Sequence, residues 1–492
     1  MFVRAFFLIL SMMKKTLLIL GTLILLIASF SGFDLTVKMG LITSVIAIWW
    51  IFEVLPLYVT ALIPIVFFPI SGIMTAKKVA PIYMSPILFL FIGGFLVAMA
   101  MQEWNLHKRI ALHIISWFKG GVASLLFGFM AATYFLSMWI SNTATAVMMV
   151  SIGLAVIKNY EEILGENDEA KTFSQGLMIS IAHAATIGGM ATLVGTPPNM
   201  ALVRIFSMNF PEASEISFAS WMLMGIPMSF LILLVSWSCI TKILFRKKEI
   251  PTLGRDLIES EKNGLGKIKY EEKIVLLIFS LMALTWIFRR DVIIGDFSIP
   301  GWSSLLTYGK NIDDGTVAIF YAVILFMIPS KKKNKNILSQ KAISKIPWET
   351  IILFGGGFAL AKGIQVSGLS QQIGEYFSEF ASSFPRLVVF SITFGMSFLT
   401  ELTSNMSSTE MILPILASIA KASNISPLSI MIPATLAASC AFMLPAATAP
   451  NAIIFGSRRV KIKDMVKVGI VVNLVSVVLI YFVSIFVVDM IM

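Results

Sequence analysis

The chain alternates between long apolar segments and short polar connections. A membrane-spanning helix needs roughly 20 consecutive, mostly apolar residues, and eleven segments of this chain approach or exceed that length. The pattern therefore predicts a polytopic all-α membrane protein. The eleven predicted spans are residues 5–30, 36–51, 54–74, 85–103, 174–206, 219–245, 271–289, 315–329, 347–366, 427–456 and 464–489.

Two further apolar regions are interrupted near their middle by a polar cluster. The first, 121–157, contains "WISNTATAV", and the second, 384–421, contains "LTSNMSSTE". Each region is too long for a single span, and non-helical backbone at membrane depth is tolerated only where protein or a water-filled site satisfies its polar groups. The pattern predicts two re-entrant hairpins, each of which enters and leaves the membrane on the same side.

Composition agrees with this class and excludes a soluble protein. Hydrophobic residues make up 57% of the 492 residues and charged residues only 13%, and the mean hydropathy is +0.88. Basic residues cluster at 245–255, 330–336 and 457–467, and short loops rich in Lys and Arg stay in the cytoplasm. We interpret the net charge of +11 as a topology signal, not as a nucleic-acid surface, and we predict a cytoplasmic N-terminus. Four basic residues fall outside against this trend: Lys77, Lys78, Arg289 and Arg290.

An internal repeat relates the two halves of the chain. "FLFIGGFLVAMAMQ" (89–102) matches "ILFGGGFALAKGIQ" (352–365) at an offset of 263 positions. The same offset relates the Ser-Asn pair that begins at Ser141 to the pair that begins at Ser404. One offset therefore aligns two separate motifs, which chance rarely does.

A second pair of motifs extends this repeat towards the C-terminus. "VGTPPNMA" (194–201) matches "AATAPNAI" (446–453) at an offset of 252 positions. In the predicted topology the first hairpin opens to the inside and the second to the outside, so that the two repeats are inverted. Inverted repeats around a site near the midplane are the architecture of secondary transporters.

Each half thus carries two polar interruptions, a Ser-Asn cluster and a Thr-x-Pro-Asn break. Proline removes a backbone donor and frees nearby carbonyl oxygens, and these can join Ser, Thr and Asn oxygens in a neutral cage. Broken helices in transporters coordinate Na⁺ in this way, and helix N-termini at the same breaks favour a carboxylate. The alternative is a purely structural role, in which such residues only pack against neighbouring helices and form hydrogen bonds with them. Their recurrence at shared offsets favours a binding site.

The same stretches resemble the divalent anion/sodium symporter family of dicarboxylate, citrate and sulfate carriers. The resemblance covers nearly the whole chain and is carried by "SMWISNTATAVMM", "GTPPN", "GGGFALAKG", "TELTSNMSSTEMILPILASIA" and "LPAATAPNA". It implies a homodimer in which each protomer has a scaffold domain and a transport domain that moves like an elevator. On this basis we expect scaffold helices in residues 1–120 and 271–383, transport-domain segments in 121–245 and 384–492, and a cytoplasmic linker in 246–270.

The resemblance also implies individual ligands. The first sodium site is expected from the side chains of Ser137, Ser141 and Asn142 and the carbonyl of Gly195. The second is expected from the side chains of Thr400, Ser404 and Asn405 and the carbonyl of Ala447. The substrate carboxylates are expected at Ser141, Asn142, Thr143, Ser404 and Asn405, with Thr196, Pro197 and Thr448 nearby. Met406 stands where the first half has Thr143 and is also expected in the substrate site, where its side chain either faces the pocket or fills space.

We expect sodium-coupled uptake of a C4-dicarboxylate such as succinate, malate or fumarate, with Na⁺ as coupling ion and no organic cofactor. The predicted location is a bacterial inner membrane. Sulfate or tricarboxylate symport and sodium-independent dicarboxylate exchange remain open within the same fold. An ion channel needs a continuous pore lined by rings of ligands, which paired broken helices do not suggest. The sequence contains no HExxH motif, nucleophile elbow or paired-carboxylate motif, so we expect no enzymatic activity.

Two ionisable residues lie inside apolar segments. An ionisable residue within the membrane is by default a functional candidate. We nevertheless interpret Lys362, in "FALAKG", as a packing or snorkelling side chain in preference to an anion ligand, and His183 as a structural residue.

Overall fold

A computed structural model describes residues 2–165, 167–245, 255–294, 297–332, 335–423 and 425–486. The first twelve helices are α1 (Phe2–Phe30), α2 (Leu35–Ile51), α3 (Leu57–Thr60), α4 (Ile63–Ser71), α5 (Ala76–Val79), α6 (Pro86–Glu103), α7 (Leu106–Trp117), α8 (Val122–Ser137), α9 (Asn142–Leu164), α10 (Asp168–Met190), α11 (Pro197–Asn209) and α12 (Phe218–Leu244). They are followed by α13 (Arg255–Gly264), α14 (Tyr270–Ile287), α15 (Asp314–Met327), α16 (Lys341–Ser344), α17 (Trp348–Val366), α18 (Leu369–Ser383), α19 (Pro385–Leu399), α20 (Asn405–Ser423), α21 (Pro427–Ala438), α22 (Ala449–Gly456) and α23 (Ile462–Phe486). Short 3₁₀ helices span Ala80–Met84, Trp302–Leu305 and Gly309–Asn311, and β1 (Val292–Ile294) pairs antiparallel with β2 (Phe297–Ile299).

Several helices of the described chain are long and apolar enough to cross a membrane. By length and composition there are five, or six if the pair α17 and α18, bent by 76°, forms one span. The five are Ser11–Phe30, Ala76–Glu103, Asn142–Leu164, Phe218–Leu244 and Ile462–Phe486. This confirms a polytopic all-α membrane protein. The count of eleven spans and the re-entrant course of the hairpins stay predictions.

Helices end where the sequence places its polar interruptions. α8 stops at Ser137 and α9 begins at Asn142, while α19 stops at Leu399 and α20 begins at Asn405. Likewise α10 and α11 are separated by residues 191–196, and α21 and α22 by residues 439–448. Proline stands in the first turn of both α11 and α22, where its missing N–H is not needed and its fixed φ favours a helix start.

The described chain divides into two compact units. The first contains residues 1–85, 201–215 and 347–438, and the second contains residues 86–200, 216–346 and 439–492. These units do not follow the five predicted segments one for one, and the assignment of segments to scaffold and transport domains stays a prediction.

Helix α10 is the central helix of the second unit. It packs against α8, α9, α12 and α22, and nearly all of its residues from Ala170 to Met190 are buried. Close packing on several sides requires small side chains. Gly188 and Gly189 provide them at the end of the helix that leads into the 191–196 break.

A buried ion pair accounts for Arg289, one of the four basic residues that the predicted topology places on the outer side of the membrane. Arg289 Nε lies 2.5 Å from Asp314 Oδ1, and Arg289 Nη1 donates to the Ile312 carbonyl at 3.0 Å. The Arg289 side chain is only 1% exposed. Arg289 therefore holds the connection between α14 and α15 and need not be read as a topology signal.

We expect Arg289→Met to lower the stability of the protein by about 3–5 kcal/mol, because it removes the guanidinium from a buried carboxylate. Thermal unfolding of the purified protein measures this. Lys158→Met is the matched control, since Lys158 is 77% exposed and lies 3.8 Å from Glu162, and an exposed pair contributes about 0–1 kcal/mol. Equal unfolding temperatures for the two variants would contradict a structural role for the Arg289 pair.

Candidate cation and anion site

The first predicted site is a buried cluster of closely spaced polar atoms. Ser137 Oγ lies 2.7 Å from Asn142 Oδ1 and 2.7 Å from the Ala185 carbonyl oxygen. A hydroxyl group has one hydrogen and can donate it to only one of these acceptors at a time. Ser137 is fully buried, so no bulk water reaches its hydroxyl. With Asn142 Oδ1 turned towards Ser137, the cluster therefore has fewer donated hydrogens than acceptors.

Asn142 Oδ1 also faces a carbonyl oxygen from the 191–196 break. It lies 3.1 Å from the Ala185 oxygen and 3.3 Å from the Gly195 oxygen. Oxygens at such distances repel each other unless a positive charge or a hydrogen lies between them. A monovalent cation bound to all of them supplies that charge. If the Asn142 amide is turned by 180°, it supplies hydrogens instead. Its Nδ2 then lies within donating distance of Ser137 Oγ and of the carbonyl oxygens of Ala185 and Gly195.

Two glycines of α10 allow this approach. A Cβ at Gly188 would lie 2.4 Å from the Tyr134 carbonyl oxygen and 3.0 Å from Ser137 Cβ. A Cβ at Gly189 would lie 2.7 Å from Asn142 Oδ1. The cluster forms because α8 and the start of α9 lie directly on the backbone of α10.

The first unit holds a second cluster with the same pattern. Thr400 Oγ1 lies 2.5 Å from Asn405 Oδ1 and 2.7 Å from the Ala438 carbonyl oxygen. Thr400 is fully buried. Thr400 and Asn405 correspond to Ser137 and Asn142 at the sequence offset of 263. The repeat is thus also visible in hydrogen-bond geometry.

The asparagines of the two Thr-x-Pro-Asn motifs brace the breaks in matching ways. Asn199 Nδ2 donates to the carbonyl oxygens of Gly189 and Thr192, at 3.1 and 2.8 Å. Asn451 Nδ2 donates to those of Ala441 and Leu444, at 3.1 and 3.0 Å. In both cases Oδ1 is buried and accepts no hydrogen bond among the described residues. Each break therefore retains one amide oxygen that is available as a ligand.

Four helices begin directly after the polar motifs. They are α9, α11, α20 and α22. The first N–H groups of a helix lack partners within it and carry a partial positive charge, which favours anions. Ser141 Oγ accepts from Ala144 N at the start of α9, and Thr448 Oγ1 accepts from Asn451 N at the start of α22. Helix starts that favour an anion thus lie next to the oxygen clusters along the chain.

The structure places some of the predicted residues in one cluster. Ser137, Asn142 and Gly195 share one cluster, whereas Ser141 Oγ has a helix-capping contact beside it. Thr400 and Asn405 form the second cluster in the first unit, while Ala447 and Thr448 belong to the second unit. The remaining predicted residues are Thr143, which is exposed at the start of α9, Ser404, which precedes α20, Met406, which is 6% exposed, and Thr196 and Pro197 at the start of α11.

Sequence reasoning missed the carbonyl oxygens of Ala185 and Ala438. Neither residue has a polar side chain, so composition contained no signal for them. The hydrogen-bonding role of Asn199 and Asn451 could have been predicted from the sequence, because both asparagines occupy matching places in the repeated motif. His183 has a structural role, since its ring nitrogens lie 2.9 Å from Ser236 Oγ and 3.2 Å from the Phe442 carbonyl oxygen.

A family model for the sodium:sulfate symporter transmembrane region matches residues 10–492. The chain belongs to this symporter family. It is therefore a membrane transporter and not an enzyme, and the resemblance seen in the sequence motifs is confirmed.

Among relatives of this symporter chain are proteins named sodium-dependent dicarboxylate transporter SdcS. The one from Staphylococcus saprophyticus is 44% identical over 454 residues, which cover 91% of this chain and 85% of that protein. The one from Staphylococcus aureus is 43% identical over 458 residues, which cover 92% and 86%.

Solved structures of two more distant transporters share the fold of this symporter chain. MtrF of Neisseria gonorrhoeae gives a TM-score of 0.57 at 13% identity, and 84% of each chain is covered. The YdaH transporter of Alcanivorax borkumensis gives a TM-score of 0.53 at 11% identity, with 83% of this chain and 86% of that chain covered. At these identities the likeness concerns the fold alone.

Proposed function

We propose that the protein is a secondary active transporter that couples the inward movement of Na⁺ to the uptake of a C4-dicarboxylate. The observation that carries the proposal is the pair of matching buried clusters around Asn142 and Asn405, in each of which a hydroxyl, an amide and a backbone carbonyl meet. Neutral amide, hydroxyl and carbonyl oxygens suit a hard cation. The name of the SdcS relatives, sodium-dependent dicarboxylate transporter, supports both halves of the proposal.

In this proposal sodium prepares the pocket for the diacid. The first ion binds among Ser137, Ser141, Asn142 and the Gly195 carbonyl, and the second among Thr400, Ser404, Asn405 and the Ala447 carbonyl. Each bound cation reduces the repulsion among these oxygens and fixes the start of a neighbouring helix. The N–H groups at those helix starts then receive the two carboxylates. A dianion without sodium would meet the electron-rich oxygens and bind weakly.

The experiment is uptake of radiolabelled succinate into proteoliposomes with and without an inward sodium gradient. We expect concentrative uptake only with the sodium gradient. Equal uptake in potassium would reject sodium coupling. Because the family model is named for sulfate, unlabelled sulfate, citrate, malate and fumarate should be compared as competitors. If sulfate is the only one of these competitors that inhibits uptake, the substrate is sulfate and not a dicarboxylate.

The asymmetry between Thr143 and Met406 leads to a prediction about substrate affinity. Thr143 is exposed whereas Met406 is only 6% exposed, which favours a packing role for the methionine. We expect Met406→Thr to lower the unfolding temperature and leave diacid affinity unchanged. Thr143→Met should weaken affinity, since it removes a hydrogen-bond donor. Succinate inhibition curves for both variants test this, and tighter diacid binding by Met406→Thr would contradict the packing role.

We further propose a bacterial inner-membrane location, a cytoplasmic N-terminus and a homodimer, which rest on the basic clusters and the family resemblance. After replacement of Cys239 and Cys440, a cysteine introduced at Lys335 should react with an impermeant thiol reagent only from the cytoplasm. A cysteine at Glu379 should react only from outside. Both positions are exposed, so labelling of both from one side would contradict the predicted topology.

A further inference from the structure

The first unit contains a cavity of about 680 Å³, and none of the predicted sodium ligands is among the residues that line it. Its walls come from the end of α4, from α5, from the part of α11 that belongs to this unit, and from the end of α17. Four basic side chains line it and no acidic one does. The four are Lys77, Lys78, Arg204 and Lys362.

Arg204 is a half-buried basic residue of this cavity. It lies within the predicted span 174–206, and its Nε is buried without a hydrogen-bond partner among the described residues. A guanidinium presents five donors and cannot be deprotonated in a protein. A charged donor that is buried without an acceptor is costly. Such an arrangement is stable when a negatively charged ligand occupies the cavity.

The lysines add positive charge around Arg204. Lys77 and Lys78 are exposed, and Lys362 Nζ donates to the neutral Gln365 Oε1 at 2.7 Å. In the predicted topology Lys77 and Lys78 both lie on the outer side of the membrane, where the positive-inside rule does not favour basic residues. Arg289 is predicted on the same side, but its position is explained by its ion pair with Asp314. The pair of lysines has no such carboxylate among the residues that line the cavity.

We propose that this cavity is an anion-binding site for a carboxylate or phosphate group. Its volume falls within the roughly 300–1,000 Å³ of small-molecule sites. Arg204 can hold an oxyanion through two parallel hydrogen bonds, and the lysines supply further charge. Apolar walls at Ile73, Met208 and Val366 suit the hydrocarbon part of such a ligand. Lys362 is then an anion ligand, in contrast to the packing role expected from the sequence.

The ligand has two possible sources, a free diacid or the headgroup of an anionic lipid. Thermal unfolding of the full-length protein in an uncharged detergent distinguishes them, with potassium replacing sodium throughout. One arm adds potassium succinate against potassium chloride of equal ionic strength. The other adds dioctanoylphosphatidylglycerol against dioctanoylphosphatidylcholine. A response to succinate alone identifies the free diacid, and a response to phosphatidylglycerol alone identifies the lipid.

The variant Arg204→Gln tests the site itself. We expect its half-saturating probe concentration to rise about 10-fold or more, as for a lost hydrogen bond to a charged group. Arg386→Gln is the matched control, because Arg386 is an exposed arginine of the same unit that does not line the cavity. Its response should equal that of the wild type. If Arg204→Gln does not fold, the exposed pair Lys77→Gln and Lys78→Gln replaces it.

Three results would overturn the proposal. They are an unchanged response in Arg204→Gln, the absence of any stabilisation of the wild type, and equal stabilisation by the phosphatidylcholine control. Asn142→Ala separates this proposal from the transport function. If that variant loses the sodium-free response while Arg204→Gln keeps it, the anion binds at the transport site and not in the cavity. Sodium-driven uptake by the wild type remains an independent readout.

Discussion

Asn142→Ala should raise the sodium concentration for half-maximal diacid uptake by about 10- to 150-fold. The substitution removes one oxygen from a buried cluster in which it faces Ser137 Oγ and the carbonyl oxygens of Ala185 and Gly195. The loss of one buried contact to a charged group costs roughly 1.5–3 kcal/mol, which corresponds to that range. Asn405→Ala should have an effect of the same size, because Asn405 Oδ1 lies 2.5 Å from Thr400 Oγ1 in the matching cluster.

A buried asparagine outside the motifs provides the control. Asn209 Nδ2 donates to the Ile205 carbonyl oxygen of its own helix at 2.9 Å. Asn209→Ala should therefore leave the sodium dependence of uptake unchanged. If Asn142→Ala and Asn405→Ala also leave it unchanged, neither cluster binds sodium.

Asn142→Asp distinguishes the cation from an amide donor in the same cluster. Aspartate keeps the side-chain oxygen and replaces the NH₂ group with a second oxygen, so it has no N–H to donate when it is ionised. With a cation in the cluster, Asn142→Asp should still be stabilised against thermal unfolding by sodium. If the native amide instead donates to the three oxygens, the variant should be destabilised and should show no response to sodium.

Gly188→Ala should strongly reduce sodium-dependent uptake although it changes no ligand. The new Cβ would lie 2.4 Å from the Tyr134 carbonyl oxygen and 3.0 Å from Ser137 Cβ. The first of these atoms is backbone, so α8 must move away from α10 and carry Ser137 with it. Overpacking of this kind costs about 1–3 kcal/mol, and here it falls directly on the oxygen cluster. Uptake measured across sodium concentrations should show both a lower maximum and weaker sodium activation.

Gly94→Ala is the matched control for this substitution. Gly94 also lies in an apolar helix of the second unit, but a Cβ there would meet its nearest neighbours, Trp286 and Val194, at 3.6 and 3.7 Å. These are ordinary van der Waals contacts, so uptake should be close to that of the wild type. Equal loss of uptake in both variants would indicate a general effect on folding and remove the argument for Gly188.

The positions of the helix breaks were predictable because side chains mark them. Polar clusters interrupt two apolar regions, and prolines follow two others, so the ends of α8, α10, α19 and α21 fall where the sequence places them. The sequence motifs also included Ser137 and Asn142, which meet in the first cluster; their role as sodium ligands stays a prediction. Their relation to Thr400 and Asn405 follows from one sequence offset.

Backbone geometry set the limit of sequence reasoning. The Ala185 and Ala438 oxygens belong to helices whose side chains are apolar, and only the packing of α8 on α10 and of α19 on α21 brings them to the clusters. The predicted span 54–74 is divided into α3 and α4, and the segment 369–383, left out of the spans, forms α18.

The most direct test of sodium–dicarboxylate coupling reverses the usual driving force. Proteoliposomes are given equal sodium on both sides with tracer ²²Na⁺ outside, and an inward succinate gradient is imposed. Symport predicts that the succinate gradient drives net ²²Na⁺ into the vesicles, and that Asn142→Ala abolishes this flux at the same sodium concentration. Succinate entry with no change in ²²Na⁺ influx would contradict the account.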